Sequence, residues 1–564
     1  MQIITATKLE DVLPALETVE KLVNLNNWYA AGFLSYESAP AFDNALMVHP
    51  DNEFPLLWFG LYSEPQRTKD LPSKDGEYHL EKWIPTTSPE LYNSAIQQIK
   101  NQIAKGNSYQ VNYTFRLKNH FSGSAWSMFV DMVNAQGPGY SAFLDIGKFT
   151  ICSASPELFF SLNDDVVTCR PMKGTVKRGT TLADDKSQAE WLQNSSKNRA
   201  ENIMIVDMIR NDLGRLAKIG SVTVPDLFAA ERYPTLWQMT SRITAEISEP
   251  VSSILKVLFP CASITGAPKI STMQIISQLE TTPRRIYTGT IGYLAPNRKA
   301  QFSVAIRSVL IDQEINKAEY GLGGGIVWDS TCKDEFAEAL LKARIITEQR
   351  PEFSLIETMR WTPNEGFFLL REHLQRLKDS AEYFNFVFDL EKITIHLNNA
   401  VNNLVDHPHR IRLILDRDGN LSNKVFQIQE QIQESPLRLK IAAEPIRSDD
   451  IFLYHKTTQR QVYELARLSQ TDCDDVILYN ESNEVTETSI ANLVFEFNGQ
   501  LLTPPIACGL LPGTLRAHLL NVGKIKEKVI KLAELQGCTQ IFLINSVRGW
   551  QQAQIVDQQN INFK

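Results

Sequence analysis

Apolar and polar positions alternate along the first part of the chain in a way that predicts short strands followed by helices. Residues 1–85 contain apolar runs separated by turn clusters, and Trp28–Tyr36 and Leu56–Tyr62 are predicted strands. Further along, the apolar spacing becomes helical in Pro89–Lys105 and again in Ala200–Leu216. This part of the chain is therefore predicted to be a mixed α+β domain.

A second run of strands leads to a helix and then to a break in the pattern. Strands are predicted at Tyr287–Leu294, Phe302–Ile311 and Tyr320–Val327, and a helix is predicted over Cys332–Glu348. The residues that follow, 348–353, are polar and include a proline, which is typical of a short linker. We therefore expect a domain boundary at this point.

Strand and helix signals start again after the break. Ser354–Arg360 and Ile451–Tyr454 are predicted strands, and Glu372–Phe384 is a predicted helix. At 564 residues the chain is too long for one ordinary hydrophobic core. The predicted domains are 1–348, divided into 1–85 and a core over 88–348, and 353–564.

Composition and charge exclude several classes of protein. A net charge of −8 argues against a nucleic-acid partner, and no apolar run approaches the ~20 residues of a membrane span. The first residues, Met1–Thr5, lack the features of a signal peptide. Seven cysteines without a C-x-x-C pair argue against a zinc or redox site and are typical of a reducing compartment. We expect a cytoplasmic enzyme without a membrane or nucleic-acid partner.

Histidine is absent from a long central segment of the chain. None occurs between His120 and His373. Unless a distant segment supplies one, chemistry in this region uses no histidine base, no histidine metal ligand and no histidine-containing triad. Carboxylates and lysines are the remaining candidates.

Lys173 is the first lysine in a context that suggests chemistry, within Pro171–Thr175. A lysine acts as a nucleophile or base only as a free amine, so it needs a local cause for a lowered pKa. Two candidate acids are Glu157, which follows an apolar strand, and Glu201, which is predicted to open the helix Ala200–Leu216. These groups form the first candidate site.

Further carboxylates lie on the predicted helix at the end of this domain. Glu335 and Glu338 are three residues apart, and Lys342 extends the same face four residues later. The glycine-rich stretch Gly321–Gly325 precedes them and allows close approach of an anion to the backbone. Carboxylates without histidine fit Mg²⁺ that bridges to a substrate carboxylate or phosphate. On spacing alone, a solvated helix face is the favoured interpretation, because such stripes are common.

Six short segments of distinctive residue types occur in this order: Gly106–Tyr113, Ser155–Phe159, Pro171–Thr175, Ala200–Asp207, Ile264–Lys269 and Gly323–Val327. This series resembles the chorismate-utilising enzymes, a family of anthranilate, aminodeoxychorismate, isochorismate and salicylate synthases. The resemblance covers about residues 90–345. It implies an α+β domain of two packed antiparallel β-sheets flanked by helices.

Two positions distinguish reactions within that family, and a third departs from its pattern. By this resemblance, members that add water have lysine at the position of Gln110 in this chain. Anthranilate synthases usually have alanine at the position of Lys173. The resemblance therefore implies amination of chorismate at C4, with anthranilate synthesis as a minor alternative. Gln238 departs from the pattern, because many members have histidine there, and a histidine-dependent step is in doubt.

The resemblance also implies roles for the candidate residues. Glu201 and Glu338 hold Mg²⁺, with Glu335 in support, and the ion binds the ring carboxylate of chorismate. Glu157 is the general acid that protonates the departing 4-hydroxyl. Lys173 attacks C2 as that hydroxyl leaves, and ammonia then enters at C4 and expels the lysine.

Substrate contacts and an ammonia source are implied in the same way. Tyr287, Arg307 and Lys342 are implied contacts of the substrate carboxylates, helped by backbone groups near Gly324 and Thr265. No Cys–His pair for glutamine hydrolysis is apparent in the sequence. The resemblance favours a separate glutamine amidotransferase subunit over free ammonia.

The second domain contains another lysine with candidate partners. Lys456, Glu487 and Arg376 match the needs of a pyridoxal 5'-phosphate site, which are a Schiff-base lysine, an acid at the pyridine nitrogen and a phosphate binder. Gly513 and Thr514 open a predicted helix whose free N–H groups suit a phosphate. Each of these residues taken singly is equally compatible with an ordinary structural role.

As a set, these residues resemble the fold-type IV pyridoxal-phosphate family, which includes aminotransferases and aminodeoxychorismate lyase. Glu357 is followed by Thr358, whereas transaminases of this fold often have a glutamate–glycine pair. Fusion to a chorismate-utilising domain favours lyase chemistry. Lys456 then takes the C4 proton, Glu487 keeps the ring nitrogen protonated, and pyruvate leaves to give 4-aminobenzoate, a folate precursor. An aminotransferase and a non-catalytic docking module are the alternatives.

Overall fold

The computed structural model of the chain contains two compact units. The first consists of Met1–Lys177 and Gln188–Arg350, and the second of Arg178–Ser187 and Pro351–Lys564. The membership of Arg178–Ser187 in the second unit had no signal in the sequence pattern. The structure describes residues 2–68, 71–137, 139–343, 346, 351–404, 406–429, 433, 435–470 and 472–556, without the side chains of Asp334, Leu341 and Lys342. The predicted linker is thus described only from residue 351 onward.

The first unit contains a ten-stranded antiparallel sheet. Its strands, in order across the sheet, are Gln2–Ala6, Leu57–Tyr62, Tyr29–Leu34, Thr290–Ala295, Lys299–Val304, Leu158–Asn163, Val166–Arg170, Leu236–Glu246 and Met172–Lys177, with Thr223–Arg232 also paired to Leu236–Glu246. Apolar residues of three helices pack against this sheet in one core, because each helix has an apolar stripe. These helices are Leu9–Asn26, Ser196–Gly214 and Val251–Leu258.

A second antiparallel sheet of eight strands completes the first unit. Its strands, in order, are Gly266–Ala267, Gln110–Gly123, Lys317–Ile326, Ser308–Asp312, Phe149–Ser155 and Tyr140–Asp145, with Tyr78–Leu80 and Ile84–Pro85 paired to Gln110–Gly123. Four helices flank it: Pro89–Ala104, Ala125–Gln136, Lys269–Leu279 and Cys332–Lys342. Phe33 and Ile291 of the first sheet share a core with Ile151 and Leu310 of the second. The two sheets therefore pack together, and the predicted α+β architecture is confirmed.

Two details of the first unit differ from the prediction. Phe302–Ile311 is not one strand, because the chain breaks after Val304 and Arg307 has a φ of 51°. The parts before and after the break lie in different sheets. Glu201 does not open its helix, since the Ser195 hydroxyl caps the helix by accepting a hydrogen bond from the Asn198 N–H. Glu201 consequently lies in the second turn.

The second unit contains two sheets. The four-stranded antiparallel sheet has the order Gly366–Phe367, Leu355–Thr362, His409–Leu415 and Leu421–Gln427, and the helices Leu370–Phe384 and Leu390–Val401 share its core. The eight-stranded mixed sheet has the order Val485–Thr488, Asp475–Tyr479, Leu437–Ile441, Gly549–Ile555, Gln540–Asn545, Asn492–Phe497, Gln500–Thr503 and Lys526–Glu527. An additional pairing between the first and sixth of these strands closes six of them into a ring.

Shorter elements of the second unit lie near the candidate residues. The helices Gln461–Leu468 and Thr514–Asn521 pack beside the mixed sheet, and Leu182–Asn194 begins in the segment that belongs to this unit. The predicted strand Ile451–Tyr454 is wrong: Ile451–Leu453 is a 3₁₀ turn, because the Asp450 side chain accepts from the Phe452 N–H. Throughout the described ranges, no helix has the length and apolar character to span a bilayer.

Candidate active sites

Lys173 and Glu157 lie on either side of Ser263 in the first unit. Lys173 Nζ donates to the backbone carbonyl oxygen of Ser263 at 2.7 Å, and the Ser263 hydroxyl donates to Glu157 Oε1 at 2.6 Å. Glu157 follows the strand Phe149–Ser155 at the point where the chain passes from one sheet to the other. The amine and the carboxyl group therefore share one site. Ser263 was missed by sequence reasoning, although it immediately precedes the segment Ile264–Lys269.

Burial controls the protonation of Glu157. Its side chain is only 3% exposed, and burial raises the pKa of the carboxyl group above its ordinary value. The Ser263 hydroxyl and the Lys173 ammonium oppose this rise in pKa. A carboxyl group that keeps its proton to higher pH is suited to donate it to a departing hydroxyl.

The charges of Lys173 and Glu338 both act on the Glu201 carboxyl group. Burial raises the pKa of Glu201, Lys173 lowers it, and the negative charge of Glu338 raises it further. The Glu335 carboxylate accepts from the Ser330 hydroxyl at 2.6 Å. Glu201 therefore lies within electrostatic range of Lys173 and of Glu338.

The carboxylate pair fits a magnesium ion that is shared with a substrate. In the part of the chain that the structure describes, no group of three or more histidine, cysteine, aspartate or glutamate side chains is arranged around a common point. Mg²⁺ commonly takes one or two protein carboxylates and completes its shell with water and substrate oxygens. Glu201 and Glu338 satisfy this requirement, and Glu335 does so only in a supporting position.

Tyr287 lies against the glycine-rich strand of the second sheet. A Cβ placed on Gly321 would be 2.1 Å from Tyr287 Cγ, so the close packing of ring and strand requires glycine. The guanidinium carbon of Arg116 is 5.1 Å from the ring centroid, and burial raises the pKa of Tyr287 to about 12. The phenol is therefore a neutral donor at physiological pH. Gly324, on the same strand, is half-buried and pairs with Tyr113.

Gln110 begins the neighbouring strand Gln110–Gly123, and Thr265 directly precedes the short strand Gly266–Ala267 that pairs with it. Thr265 is fully buried, and its carbonyl oxygen accepts from the Asn112 N–H at 2.8 Å. Gln110 is 1% exposed, and its Oε1 has no hydrogen-bond partner among the described residues. A Cβ on Gly325 would be 2.2 Å from Gln110 Nε2. The glycine-rich strand thus makes room for both Tyr287 and Gln110.

Arg307 is buried at the break between the two sheets. Its Nη1 donates to the Gln136 Oε1, and its guanidinium carbon is 5.9 Å from the Tyr233 ring centroid. Burial lowers the pKa of Arg307, and the nearby Glu157 acts in the opposite direction. The structure thus places this cation near the Glu157 carboxyl group. The predicted contact Lys342 has a side chain outside the described residues.

Lys456 lies in the second unit, just after the turn Ile451–Leu453. Its backbone carbonyl oxygen accepts from the Ile356 N–H at 2.9 Å, which ties it to the first strand of this unit. Burial lowers the pKa of Lys456 to about 8, the cation Arg376 acts in the same direction, and Glu487 opposes both. Lysine with such a pKa presents a neutral amine at mildly basic pH, as an amine nucleophile requires.

Glu487 is held in one orientation by three donors. Its Oε1 accepts from the Tyr463 hydroxyl at 2.8 Å and from the Leu511 N–H at 3.0 Å, and its Oε2 accepts from Asn492 Nδ2 at 3.0 Å. Burial raises the pKa of Glu487 to about 7, while these donors and the Lys456 ammonium lower it. Tyr463 was not identified from the sequence, because nothing in its local pattern distinguishes it from a core tyrosine.

Arg376 belongs to a buried ionic cluster. Its Nε and Nη2 donate to the two oxygens of Glu357 at 2.9 and 2.7 Å, and its Nη1 donates to the Pro512 carbonyl oxygen at 3.0 Å. Burial alone would raise the pKa of Glu357, but Arg376 and His373 lower it to about 2. A guanidinium has five N–H groups. Three of those of Arg376 donate to Glu357 and Pro512, so two are left for a ligand.

The same cluster extends to the start of the helix Thr514–Asn521. His373 Nδ1 lies 2.6 Å from Glu357 Oε2, and its Nε2 lies 2.9 Å from the Ser546 hydroxyl and 3.2 Å from the Thr514 hydroxyl. A Cβ on Gly513 would be 1.9 Å from an Asn492 oxygen, so this helix start requires glycine. A cation, hydroxyls and free helix N–H groups in one place fit a phosphate. Together with Lys456 and Glu487, they fit pyridoxal 5'-phosphate.

Both units match known families. Residues 2–348 match the family described as chorismate binding enzyme, and residues 354–556 match the family described as amino-transferase class IV. The first match covers more than half of the chain. The chain therefore belongs to the chorismate-binding enzyme family, and it carries a class IV aminotransferase domain after the chorismate-binding domain.

Relatives and a solved structure agree with this assignment. Aminodeoxychorismate synthase component 1 of Escherichia coli (strain K12) is 39% identical over 270 residues, which are 47% of this chain and 59% of that protein. The protein of the same name from Bacillus subtilis (strain 168) is 32% identical over 354 residues, which are 56% of this chain and 75% of that protein. The chain thus spans 59% of the length of the first of these relatives.

The structural similarity concerns the fold alone. Anthranilate synthase component I from Streptococcus pneumoniae TIGR4 superposes with a TM-score of 0.51 at 23% identity, covering 59% of this chain and 85% of that chain. At this identity the comparison supports the predicted α+β fold and carries no information on substrate.

Proposed function

We propose that this chain converts chorismate to 4-aminobenzoate in two consecutive reactions, one in each unit. The first unit aminates chorismate at C4 to 4-amino-4-deoxychorismate, and the second releases pyruvate from that product. One observation carries the proposal: the chain joins a chorismate-binding unit, where Lys173 and Glu157 share Ser263, to a class IV unit with Lys456 and Glu487. The names of the relatives support amination at C4.

In the first reaction, Lys173 and Glu157 act on the same ring. The Lys173 amine attacks C2, both ring double bonds shift toward C4, and the C4 hydroxyl leaves as water with a proton from Glu157. Ammonia then adds at C4, both double bonds shift back, and the Lys173 amine leaves C2. The bridge through Ser263 and the raised pKa of Glu157 support these roles.

Magnesium and the buried cation accommodate the negative charges of chorismate. Glu201 and Glu338 hold Mg²⁺ with Glu335 in support, and the bound ion supplies positive charge for the ring carboxylate. The influence of Glu338 on Glu201 supports a shared cation. Lys342, which the sequence predicts as a contact of the substrate carboxylates, supplies a further positive charge.

Two other groups bind the substrate through hydrogen bonds. Tyr287 donates from its neutral phenol, and Arg307 contacts a carboxylate near Glu157. Backbone groups near Gly324 and Thr265 complete the contacts. The close packing of Tyr287 on the glycine-rich strand supports this arrangement.

In the second unit, the residues hold pyridoxal 5'-phosphate and move one proton. The cofactor, when bound, supplies an electron sink for the substrate's C4 carbon. Lys456 would attach it and take the C4 proton, and Glu487 would keep its ring nitrogen protonated. The two remaining N–H groups of Arg376 and the helix start at Gly513 and Thr514 bind its phosphate. Loss of pyruvate then gives the aromatic 4-aminobenzoate, a folate precursor.

A separate glutamine amidotransferase subunit supplies the ammonia. Both relatives are named component 1, which supports a second component. All seven cysteines are free thiols, which supports a reducing, cytoplasmic location.

One incubation tests the proposal. Purified protein with chorismate, Mg²⁺, pyridoxal 5'-phosphate and ammonium chloride is expected to yield 4-aminobenzoate and pyruvate in equal amounts. Lys173→Ala is expected to block both products, and Lys456→Ala is expected to accumulate 4-amino-4-deoxychorismate. Formation of 2-aminobenzoate instead, or unchanged amination by Lys173→Ala, would contradict the assignment.

An aminotransferase is the second candidate for the class IV unit, because the matching family is described by that activity. An aminotransferase needs a keto acid to accept the amino group, whereas a lyase does not. Pyruvate release from 4-amino-4-deoxychorismate without any added keto acid identifies a lyase. Turnover only when a keto acid is added identifies an aminotransferase.

A further inference from the structure

The strand that carries Lys173 contains a β-bulge. In its antiparallel pairing with the neighbouring strand, Met172 lies opposite Thr240 and Thr175 lies opposite Gln238. Three steps along the first strand therefore match two steps along the second. One extra residue lies between Met172 and Thr175, and such a bulge redirects the side chain it contains.

The Gln238 side chain lies at this bulge, where the backbone hydrogen bonds between the two strands are interrupted. Gln238 Nε2 donates to the Gly174 carbonyl oxygen at 2.8 Å, and the Thr175 hydroxyl donates to Gln238 Oε1 at 3.0 Å. The second bond fixes the amide so that its NH₂ group faces Gly174. Gln238 is 9% exposed, so water cannot readily replace either bond.

The backbone at Gly174 is restricted from its other side as well. Its φ is +89°, a conformation that favours glycine, and a Cβ at this position would be 3.0 Å from the Asn198 Cβ. Gln238 on one side and Asn198 on the other therefore hold the backbone of the residue that follows Lys173. With the backbone in this position, Lys173 Nζ lies 2.7 Å from the Ser263 carbonyl oxygen.

We propose that Gln238 is a positioning residue, which holds the bulge and thereby directs the Lys173 amine, without transferring a proton itself. This inference rests on the proposed role of Lys173 as nucleophile. Gln238 stands where many members of the family have histidine. A primary amide does not titrate at physiological pH, whereas imidazole does. Positioning of Lys173 in this chain is therefore independent of pH.

The charged groups around Gln238 do not change this conclusion. Glu231 lies opposite Gln238 on the strand Thr223–Arg232, and its carboxylate pairs with Arg170 at 3.1 Å. The Thr240 hydroxyl also donates to Glu231 at 2.8 Å. The Glu231 carboxylate is thus already satisfied, and Gln238 makes its bonds to the strand of Lys173.

The test compares Gln238→Ala and Gln238→Glu in the full chain, with chorismate, Mg²⁺ and ammonium chloride from about pH 6 to about pH 9. Gln301→Ala, which removes another half-buried amide from the same sheet, is the matched control and is expected to keep the wild-type rate. Gln238→Ala is expected to lower kcat about 10- to 100-fold at every pH, with the KM for chorismate within about threefold, because misplacement of a reacting group affects the rate more than binding.

Gln238→Glu is expected to gain a new pH dependence. A protonated acid donates to the Gly174 carbonyl oxygen as the amide does, whereas a carboxylate cannot. Its kcat should therefore approach the wild-type value at low pH and fall as pH rises through the pKa of the new acid. If Gln238→Glu instead lowers kcat by the same factor at every pH, Gln238 has only a structural role.

Two parallel measurements separate failure of this inference from failure of the proposed function. If Lys173→Ala keeps the wild-type rate, the nucleophile assignment itself is wrong. If Lys173→Ala is inactive while Gln238→Ala has the wild-type kcat, only the positioning role is wrong. Pyruvate release from supplied 4-amino-4-deoxychorismate by the same variants reports that the second unit is folded, and a thermal unfolding midpoint close to that of the wild type reports the same for the first unit.

Discussion

At the scale of single residues, burial sets the proton affinities on which the proposed chemistry depends. It raises the pKa of Glu157, lowers the pKa of Lys456 to about 8 and raises the pKa of Glu487 to about 7. In each case removal from water disfavours the charged form. An acid that keeps its proton and a lysine that loses one are the states that general acid and amine catalysis need.

Glu157→Gln should lose the proton donor while it keeps the shape of the site. The amide still accepts from the Ser263 hydroxyl, so the KM for chorismate should change little. The kcat for amination is expected to fall by about 10²- to 10⁴-fold, which is the usual contribution of a general acid. Initial rates of 4-amino-4-deoxychorismate formation, measured by chromatography, check this, and a wild-type kcat would contradict it.

His455 should make the second unit less stable in acid. Its Nε2 donates to the Thr180 carbonyl oxygen at 3.1 Å, its Nδ1 accepts from the Ser380 hydroxyl at 2.9 Å, and burial lowers its pKa from 6.5 to about 3. Because the folded pKa lies below the unfolded one, stability is fully present above pH 6.5 and is lost as pH falls toward 3.

The loss should be about 1.4 kcal/mol per pH unit in this window. The measurement is the free energy of unfolding of the second unit at about pH 7.5 and about pH 5. His455→Gln, which has no titrating group, should lose about 2 kcal/mol less between these pH values than the wild type. Equal pH dependence in both proteins would show that His455 is protonated in the folded state.

At the scale of elements, irregular backbone places the candidate groups. Lys173 lies in a bulge, Arg307 follows the break between two sheets, and Lys456 follows a 3₁₀ turn. Regular strands alternate their side chains between two faces, and these interruptions allow a side chain to leave that alternation. The regular strands and helices around them supply the rigid frame.

Glu357, on the first strand of the second unit, should be essential for the stability of that unit. Glu357→Ala leaves Arg376 and His373 buried without their carboxylate partner, which typically costs about 3 to 5 kcal/mol. The unfolding midpoint should fall and pyridoxal 5'-phosphate should be retained less tightly, as measured by thermal unfolding and by fluorescence titration. Thr358→Ala, at the next position, is the control and should behave as the wild type.

At the scale of the whole molecule, each unit has its own hydrophobic cores and its own candidate site. In the first unit the candidate residues come from both sheets. In the second they come from the strand with Glu357, the helix with Arg376 and the mixed sheet. One chain therefore contains two candidate sites, as the proposed pair of consecutive reactions requires.

Two inactive variants should complement each other when mixed. Lys173→Ala keeps the residues of the second site, and Lys456→Ala keeps those of the first. An equimolar mixture with chorismate, Mg²⁺, pyridoxal 5'-phosphate and ammonium chloride should form 4-aminobenzoate, whereas neither variant alone should do so. Continued accumulation of 4-amino-4-deoxychorismate in the mixture would mean that the intermediate does not pass between molecules.

The sequence was sufficient for the fold class, whereas its site residues stay predictions. Glu157 and Lys173, predicted from short segments of distinctive residue types, both contact Ser263 in the structure. The strand over Phe302–Ile311 was predicted wrongly, since a mostly apolar run does not reveal a change of sheet. That change depends on which distant strands pair with each half.

What the sequence determined by itself was the fold class and the order of the chorismate-binding and class IV domains, because short segments of distinctive residue types are readable without a structure. What only the tertiary structure decided was how those groups are held. Ser263 bridges residues 90 and 106 positions away, and Gln238 holds a carbonyl oxygen 64 positions away. Such contacts arise from sheet pairing and burial between distant segments, which no local pattern of residues specifies.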